Sequence, residues 1–441
     1  MSELLADFFL LRDPNVRWVL AGTVLLGLSA GAMGCFAVLR KRALVGDAVA
    51  HAVLPGVCLA FIVAGDKDPL VLLLGSVIFG WISIVLMDYL IRESKISADT
   101  SIGMILSVFF GLGVVLLTYI QSSGNVNQSG LDAFLFGSAA SMLPEDVMVF
   151  GLVSLLVIIA IILLYKELKL VSFDPAYATV IGYPMKRMEV VIGTLLVVTI
   201  TAGLQAVGVV LMASMLIIPA AAARYWTDSL WVMLVVAASV GVMAAISGTF
   251  ISYSAPSMPT GPWMVVAAAV LFTLSYLFAP KHGEVRRWLS LKKDREKIGW
   301  ENILKTLYHL EEQDKNTERA RTRNEILKKR RVQPEELKKS LQKLCKMNFV
   351  SRLPGEPESY LLTALGRERA ERIVRVHRLW ELYLTERLNI AGDHVHDDAE
   401  SMEHLITPEI EQQLAVLLGE PTSDPHQSAI PYRHSDKGGD V

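Results

Sequence analysis

Asp47 and His51 stand four residues apart in Gly46-Asp-Ala-Val-Ala-His51, at the head of an otherwise apolar run. On a helix that spacing puts a carboxylate and an imidazole on one face. Together they are half of a divalent-metal site. An ionisable side chain at the centre of a membrane helix costs about 2.5–3.5 kcal/mol on insertion scales, so a buried pair calls for a ligand, a partner or water. The residues alone also allow a plainer reading. Asp47 would cap a helix at the membrane interface, beside the basic triplet Arg40, Lys41 and Arg42, and His51 would merely pack. A second constellation lies far downstream. His377 and Glu381 are one helical turn apart, and His396, Glu400, Glu403 and His404 follow at i, i+4, i+7 and i+8, the spacing of one helical stripe. Imidazoles and carboxylates in this pattern suit Mn²⁺, Fe²⁺ or Zn²⁺, with a carboxylate-heavy shell favouring manganese or iron. The alternative is a solvated acidic face with incidental histidines.

The elements that carry these residues belong to two solvents. Residues 1–285 hold 14 Lys/Arg and 17 Asp/Glu, while 286–441 hold 28 and 27 in little more than half the length. The net charge of −2 conceals this partition. Apolar runs near 17–39, 47–64, 69–91, 101–121, 146–165, 188–204, 207–224, 229–251 and 261–279 approach or exceed the roughly 20 residues that cross a bilayer. Gly203, Gly208 and Pro219 interrupt the stretch 188–224, which reads as a broken helix pair or a re-entrant segment. The expectation is eight or nine transmembrane helices. Basic residues cluster at Arg40–Arg42, Arg92/Lys95, Lys166/Lys169, Lys186/Arg187, Arg224 and Lys281/Arg286/Arg287, which makes those flanks cytoplasmic. The polar stretches 121–130 and 252–261 lack basic residues and fall outside. The region from 286 onward is then cytoplasmic. The acidic N-terminus runs straight into a long span and shows no cleavable signal pattern.

Cys35, Cys58 and Cys345 are scattered and indicate no disulfide framework. No stretch matches a Gly-rich phosphate loop ending in Gly-Lys-Ser/Thr, so any pumping needs an ATPase on another subunit. Between the fifth and sixth runs, Asp174 followed by Pro175 reads as a capped helix start, and Gly182 and Pro184 as its end. A short rigid cytoplasmic helix could push against a soluble motor; an ordinary structured loop is the equal alternative.

Three ordered motifs carry a resemblance: Gly46-Asp-Ala-Val-Ala-His-Ala-Val-Leu-Pro-Gly56, Ser172-Phe-Asp-Pro-Ala-Tyr-Ala178 with Gly182, and the run Val207–Arg224. Over about residues 15–280 the chain closely resembles the permease subunits of bacterial manganese/zinc/iron ABC transporters. The resemblance implies a second permease subunit, an ATP-binding cassette subunit and an extracytoplasmic metal-binding protein. It makes Asp47 and His51 the metal-coordinating pair of the translocation path. It also makes the segment with Asp174, Pro175, Ala178 and Gly182 the coupling helix that docks on the ATPase.

In the cytoplasmic half, apolar residues at helical spacing (Ile298, Ile303, Leu304, Leu307, Leu310) precede two short helical stretches, 319–329 and 333–347. A two-stranded wing follows from Phe349. Three helices and a wing make a winged helix-turn-helix. Glu335 and Glu336 open its third, would-be recognition helix, and the half is charge-balanced, which argues against DNA as a partner; the basic cluster Lys328–Arg331 suits anionic lipid equally well. The text His377-Arg-Leu-Trp-Glu381, His396-Asp-Asp-Ala-Glu-Ser-Met-Glu-His404 and Asp424-Pro-His-Gln-Ser-Ala-Ile-Pro431 carries a second resemblance over 298–432. It is to the iron- and manganese-dependent repressors related to diphtheria toxin repressor. That resemblance implies metal ligands at His377, Glu400, Glu403 and His404, and a second site using His396 and Glu381. Acidic ligands would come from the first helix, where this chain has Asn302 and Lys305. A lysine there repels a cation or takes its place as a built-in counter-charge.

The expected fold is thus an all-α polytopic membrane protein with a cytoplasmic winged helix-turn-helix and a helical dimerisation or metal-binding domain. The segments are 1–285 in the membrane, 286–297 a juxtamembrane linker, 298–370 the winged domain, 371–432 the metal-binding-like domain and 433–441 a polar tail. The expected function is import of Mn²⁺, Zn²⁺ or Fe²⁺ across the bacterial inner membrane, with the ion as substrate, no required cofactor and no enzymatic activity in this chain. The rivals are a membrane-tethered metal-responsive regulator and a permease for metal chelates.

Overall fold

The computed structural model describes residues 7–66, 68–122, 137, 139, 142–255, 258–355, 357–388, 390, 395, 399–400 and 402–432. Two compact units divide the chain, Met1–Arg287 and Trp288–Val441.

The first unit is built of helices: α1 (Pro14–Leu39), α2 (Ala43–Ala52), α3 (Leu54–Ala64), α4 (Pro69–Glu93), α5 (Ala98–Ser122), α6 (Pro144–Leu163), α7 (Tyr165–Phe173), α8 (Pro175–Val180), α9 (Met185–Val207), α10 (Val209–Arg224), α11 (Leu230–Ser254) and α12 (Thr260–Phe278). Asp-Pro pairs start α1, α4 and α8, each Asp side chain accepting a backbone N–H of the first turn. This satisfies one of the donors a helix start leaves open, and proline there loses nothing.

Among the described residues, eight helices are long and apolar enough to cross a membrane, with α2 and α3 counted together as the span Ala43–Ala64. The ninth apolar run forms α10, only 16 residues and about 24 Å long. The helix breaks between α9 and α10 at Gly208, whose φ of +85° suits glycine. A side chain on Gly203 would collide with Met212, a residue that a straight helix would carry about 13 Å away along its axis. The stretch 188–224 is therefore a pair of helices broken at Gly208. At the centre, α1 lies against α11 so closely that a Cβ on Gly27 or Gly241 would meet the other's carbonyl. Small residues substitute here for the hydrophobic drive that lipid does not supply. Buried hydroxyls also join helices: Thr23 to Thr249 at 3.2 Å and Ser154 to Ser29 at 3.1 Å.

In the second unit α13 (Glu284–Asp314), β1 (Arg321–Thr322), α14 (Arg323–Lys329), α15 (Pro334–Lys346), β2 (Val350–Leu353), β3 (Ser359–Leu362), α16 (Ala364–Leu388) and α17 (Pro408–Leu417) follow in order. The strands form an antiparallel sheet in the order β1-β3-β2, with Val350 opposite Leu362 and Arg321 opposite Tyr360. The expected two-stranded wing thus has a third strand. The helix expected from residue 319 begins at Arg323 instead. A capping box sets its start, with Glu325 Oε2 accepting the Thr322 N–H at 2.7 Å. Leu304, Leu307, Ile326, Leu337, Leu341, Leu344 and Tyr360 make the core beneath the sheet. Residues 286–297, expected as a linker, are helix inside α13, and the 370/371 boundary falls within α16. The tail 433–441 lies outside the described residues.

Candidate functional site

Asp47 and His51 sit on α2, which starts directly after the tight turn Arg40-Lys41-Arg42. By helical rise they lie about 6 and 12 Å into this span. The turn is held by ion pairs between helix ends: Arg40 and Arg92 to Glu189 at 3.6 and 2.9 Å, and Arg42 to Asp88 at 3.5 Å. His51 Nε2 is 3.5 Å from Asp47 Oδ1. That is too long for a strong hydrogen bond. It matches the separation of about 3.0–3.5 Å between two donors that share an ion at ordinary ligand distances. The imidazole stands edge-on to Phe110 of α5, centroids 4.9 Å apart, and its Nδ1 is buried without a hydrogen-bond partner. Pro55, the second residue of α3, cannot donate to the carbonyl of His51, four residues back. The Val53 N–H turns to the carbonyls of both Val49 and His51 instead. The helix is thus interrupted at Val53, two residues past the histidine. Of these features only the Asp–His spacing and Pro55 are visible as sequence patterns; nothing marks Phe110.

The short helix α8 is capped by Asp174, whose Oδ1 accepts from the Tyr177 N–H at 2.8 Å. Pro175 is its first residue, and Ala178 is wholly buried. Gly182, at φ +80°, turns the chain so that the Tyr183 N–H reaches the Ala178 carbonyl at 2.9 Å. Tyr177, Val180 and Ile181 are exposed, Val180 at 84%. The helix is short, capped and leaves these apolar side chains bare.

In the second unit α13 and α16 bring Glu301, Asn302, Lys305, His377 and Glu381 together with Glu403 and His404 in one buried cluster. Lys305 Nζ donates to Glu403 Oε2 at 2.7 Å and lies 3.0 Å from His377 Nδ1. His377 donates to Glu381 from Nε2 (3.0 Å) and to Glu403 from Nδ1 (2.6 Å). Burial lowers its pKa, but these two carboxylates outweigh burial and hold it above the usual histidine value. Burial pushes Glu403 up, and His377 and Lys305 overcome that and hold it below the usual carboxylate range. His404 meets Glu301 at 2.7 Å and Asn302 at 3.2 Å. The expected single stripe does not form. Helix covers Ala399, Glu400 and Met402, and residues 403–405 are a turn. Glu400 points instead to the Arg330 guanidinium. His396 lies outside the described residues. Among the described residues no group of three or more His, Cys, Asp or Glu is arranged to hold a metal ion. Sequence reading missed Glu301, although its place four residues before Lys305 puts it on the same helix face. It also missed Arg330 as a partner of Glu400.

Residues 12–279 match the ABC 3 transport family. The chain belongs to that family. Residues 363–432 match the iron dependent repressor, metal binding and dimerisation domain. The manganese transport system membrane protein MntC of Bacillus subtilis (strain 168) is 39% identical over 382 residues, 87% of this chain and 87% of that protein. The likeness therefore extends beyond the membrane unit. The zinc transport system membrane protein TroC of Treponema pallidum (strain Nichols) is 39% identical over 274 residues, 62% of this chain and 92% of its own. Among solved structures, PsaBC from Streptococcus pneumoniae in complex with Fab is 33% identical with a TM-score of 0.59, covering 66% of this chain and 99% of that one. As an ABC 3 permease the chain is a multi-span membrane protein whose family role is transport.

Proposed function

We propose that this ABC 3 permease passes a divalent transition-metal ion across the bacterial inner membrane, Mn²⁺ first among Mn²⁺, Zn²⁺ and Fe²⁺. The observation that supports this most directly is the Asp47–His51 pair, held 3.5 Å apart on one face of a broken span. One carboxylate and one imidazole replace part of the ion's water shell. A second permease subunit, a like chain or a different one, supplies the other half of the shell. Manganese is placed first because the B. subtilis relative that matches across both units is named for it. An extracytoplasmic metal-binding protein delivers the ion. A separate ATP-binding cassette subunit docks on α8, where Tyr177, Val180 and Ile181 are bare. The basic flanks put α8 and the second unit on the cytoplasmic side.

The test is uptake of radioactive Mn²⁺ by cells whose own manganese importers are deleted and which carry this chain with its neighbouring subunits. Mn²⁺ uptake should be restored and should fall when unlabelled Mn²⁺ is added, with Zn²⁺ a weaker competitor. Uptake of a metal chelate without uptake of free ions would overturn the proposal.

A further inference from the structure

The repressor-like match describes a metal-binding domain, and the residues of this chain do not fit one. We propose that the Lys305 ammonium permanently fills the position a divalent ion would take. The buried polar centre of the second unit then holds together without metal and does not sense it.

Three observations carry this. The first is space. Lys305 Nζ lies 2.7 Å from Glu403 Oε2 and 3.0 Å from His377 Nδ1. An ion bound to those two atoms at the ordinary ligand distance of about 2.0–2.2 Å would overlap the ammonium. The second is burial. The Lys305 and Glu403 side chains are 6% and 0% exposed, and lysine is rarely buried unless paired. To admit an ion, Lys305 would have to leave a fully enclosed carboxylate. The third is the engagement of the remaining donors. Both ring nitrogens of His404 face Glu301 and Asn302, and Arg369 also binds Glu301. Glu400 is turned to Arg330. These donors are engaged by protein partners around a cation the chain supplies itself, while Glu403 Oε1, buried without a hydrogen-bond partner, lies 3.4 Å from His404 Nε2. The inference stands independently of the transport proposal.

Full-length protein in detergent is the sample, and hydrogen–deuterium exchange of peptides covering 300–307, 375–382 and 402–406 is the readout. Micromolar Mn²⁺, Fe²⁺ or Zn²⁺ should leave wild-type exchange in these peptides unchanged. Lys305→Glu replaces the ammonium with a carboxylate and should create a site. Its exchange should slow about tenfold at a metal concentration ten times Kd. Lys305→Met should lose protection in the same peptides with or without metal. Metal-dependent protection in the wild type overturns the proposal whatever the variants do. So does a folded Lys305→Glu that stays indifferent to metal. If Lys305→Glu does not fold, the wild-type result decides alone.

Discussion

Lys305 and Glu403 form an ion pair 2.7 Å long with side chains 6% and 0% exposed. Removing one partner of such a pair leaves an uncompensated buried charge, at a cost of about 3–5 kcal/mol. Lys305→Met should destabilise the second unit by that amount. Lys343 pairs with Glu296 at 3.1 Å but is 44% exposed, so Lys343→Met should cost less than about 1 kcal/mol. Urea titration of the two variants, followed by amide exchange in the second unit, compares them directly. Equal effects would contradict the structural weight given to Lys305.

Val180 is 84% exposed on α8. Val180→Asp should leave the permease folded while lowering recovery of the ATP-binding subunit in co-purification, and Mn²⁺ uptake should fall at least about tenfold, the equivalent of 1.4 kcal/mol of docking. Asp174→Ala removes the helix cap and should cost about 1 kcal/mol locally, with a milder loss of uptake. Full co-purification with Val180→Asp would make α8 an ordinary loop.

Gly27 and Gly241 touch backbone to backbone, whereas nothing lies within 4 Å of a Cβ added to Gly103. Gly27→Leu should force α1 from α11 and abolish folded protein in the membrane. Gly103→Ala should be tolerated and gain about 1 kcal/mol of helix propensity. Membrane yield and size-exclusion profiles of the two variants distinguish a packed interface from a loose one.

Burial first, and the Lys305 charge second, lower the pKa of His309 to about 4. Between that value and the ordinary histidine value of about 6.5, the unfolded chain binds more protons than the folded one. This contribution to stability is present above that window and is lost as pH falls through it. His377 works the other way. Its pKa is raised against the pull of burial by Glu381 and Glu403. Its contribution is complete below the ordinary histidine pKa and is lost as pH rises through the folded value. The second unit should therefore be most stable near the ordinary histidine pKa. Urea midpoints across pH should show a maximum there, and His309→Gln should flatten its acid side. A midpoint that rises steadily with pH would contradict the His377 assignment.

Much of the fold was legible because lipid and water impose different patterns. The apolar runs, the Asp-Pro helix starts and the leucine stripe of α15 all follow from local chemistry. The structure decides one open reading and adds detail to others. Of the two readings of 188–224 the broken helix pair forms, with the break at Gly208 and Gly203 close against Met212. Residues 286–297 are helical, and β1 adds a strand to the expected wing because Arg321 pairs with Tyr360. The Asp47–His51 pair could be read from spacing alone. Its partner Phe110, from another helix, could not. The downstream stripe misled because even spacing does not guarantee a helix. The helix ends after Met402 with the Glu403 N–H still bonded to the Ala399 carbonyl, and residues 403–405 form a turn, so the stripe does not run on through His404.

Uptake of radioactive Mn²⁺ by Asp47→Ala and His51→Ala, normalised to the amount of each variant in the membrane, bears most directly on the ion path. Each substitution removes one of two donors held 3.5 Å apart and leaves the helix intact. Each should reduce uptake at least about a hundredfold, corresponding to roughly 2.7 kcal/mol of lost ion coordination, with normal insertion and normal association with the ATP-binding subunit. Wild-type uptake rates in both variants would contradict a translocation path through Asp47 and His51.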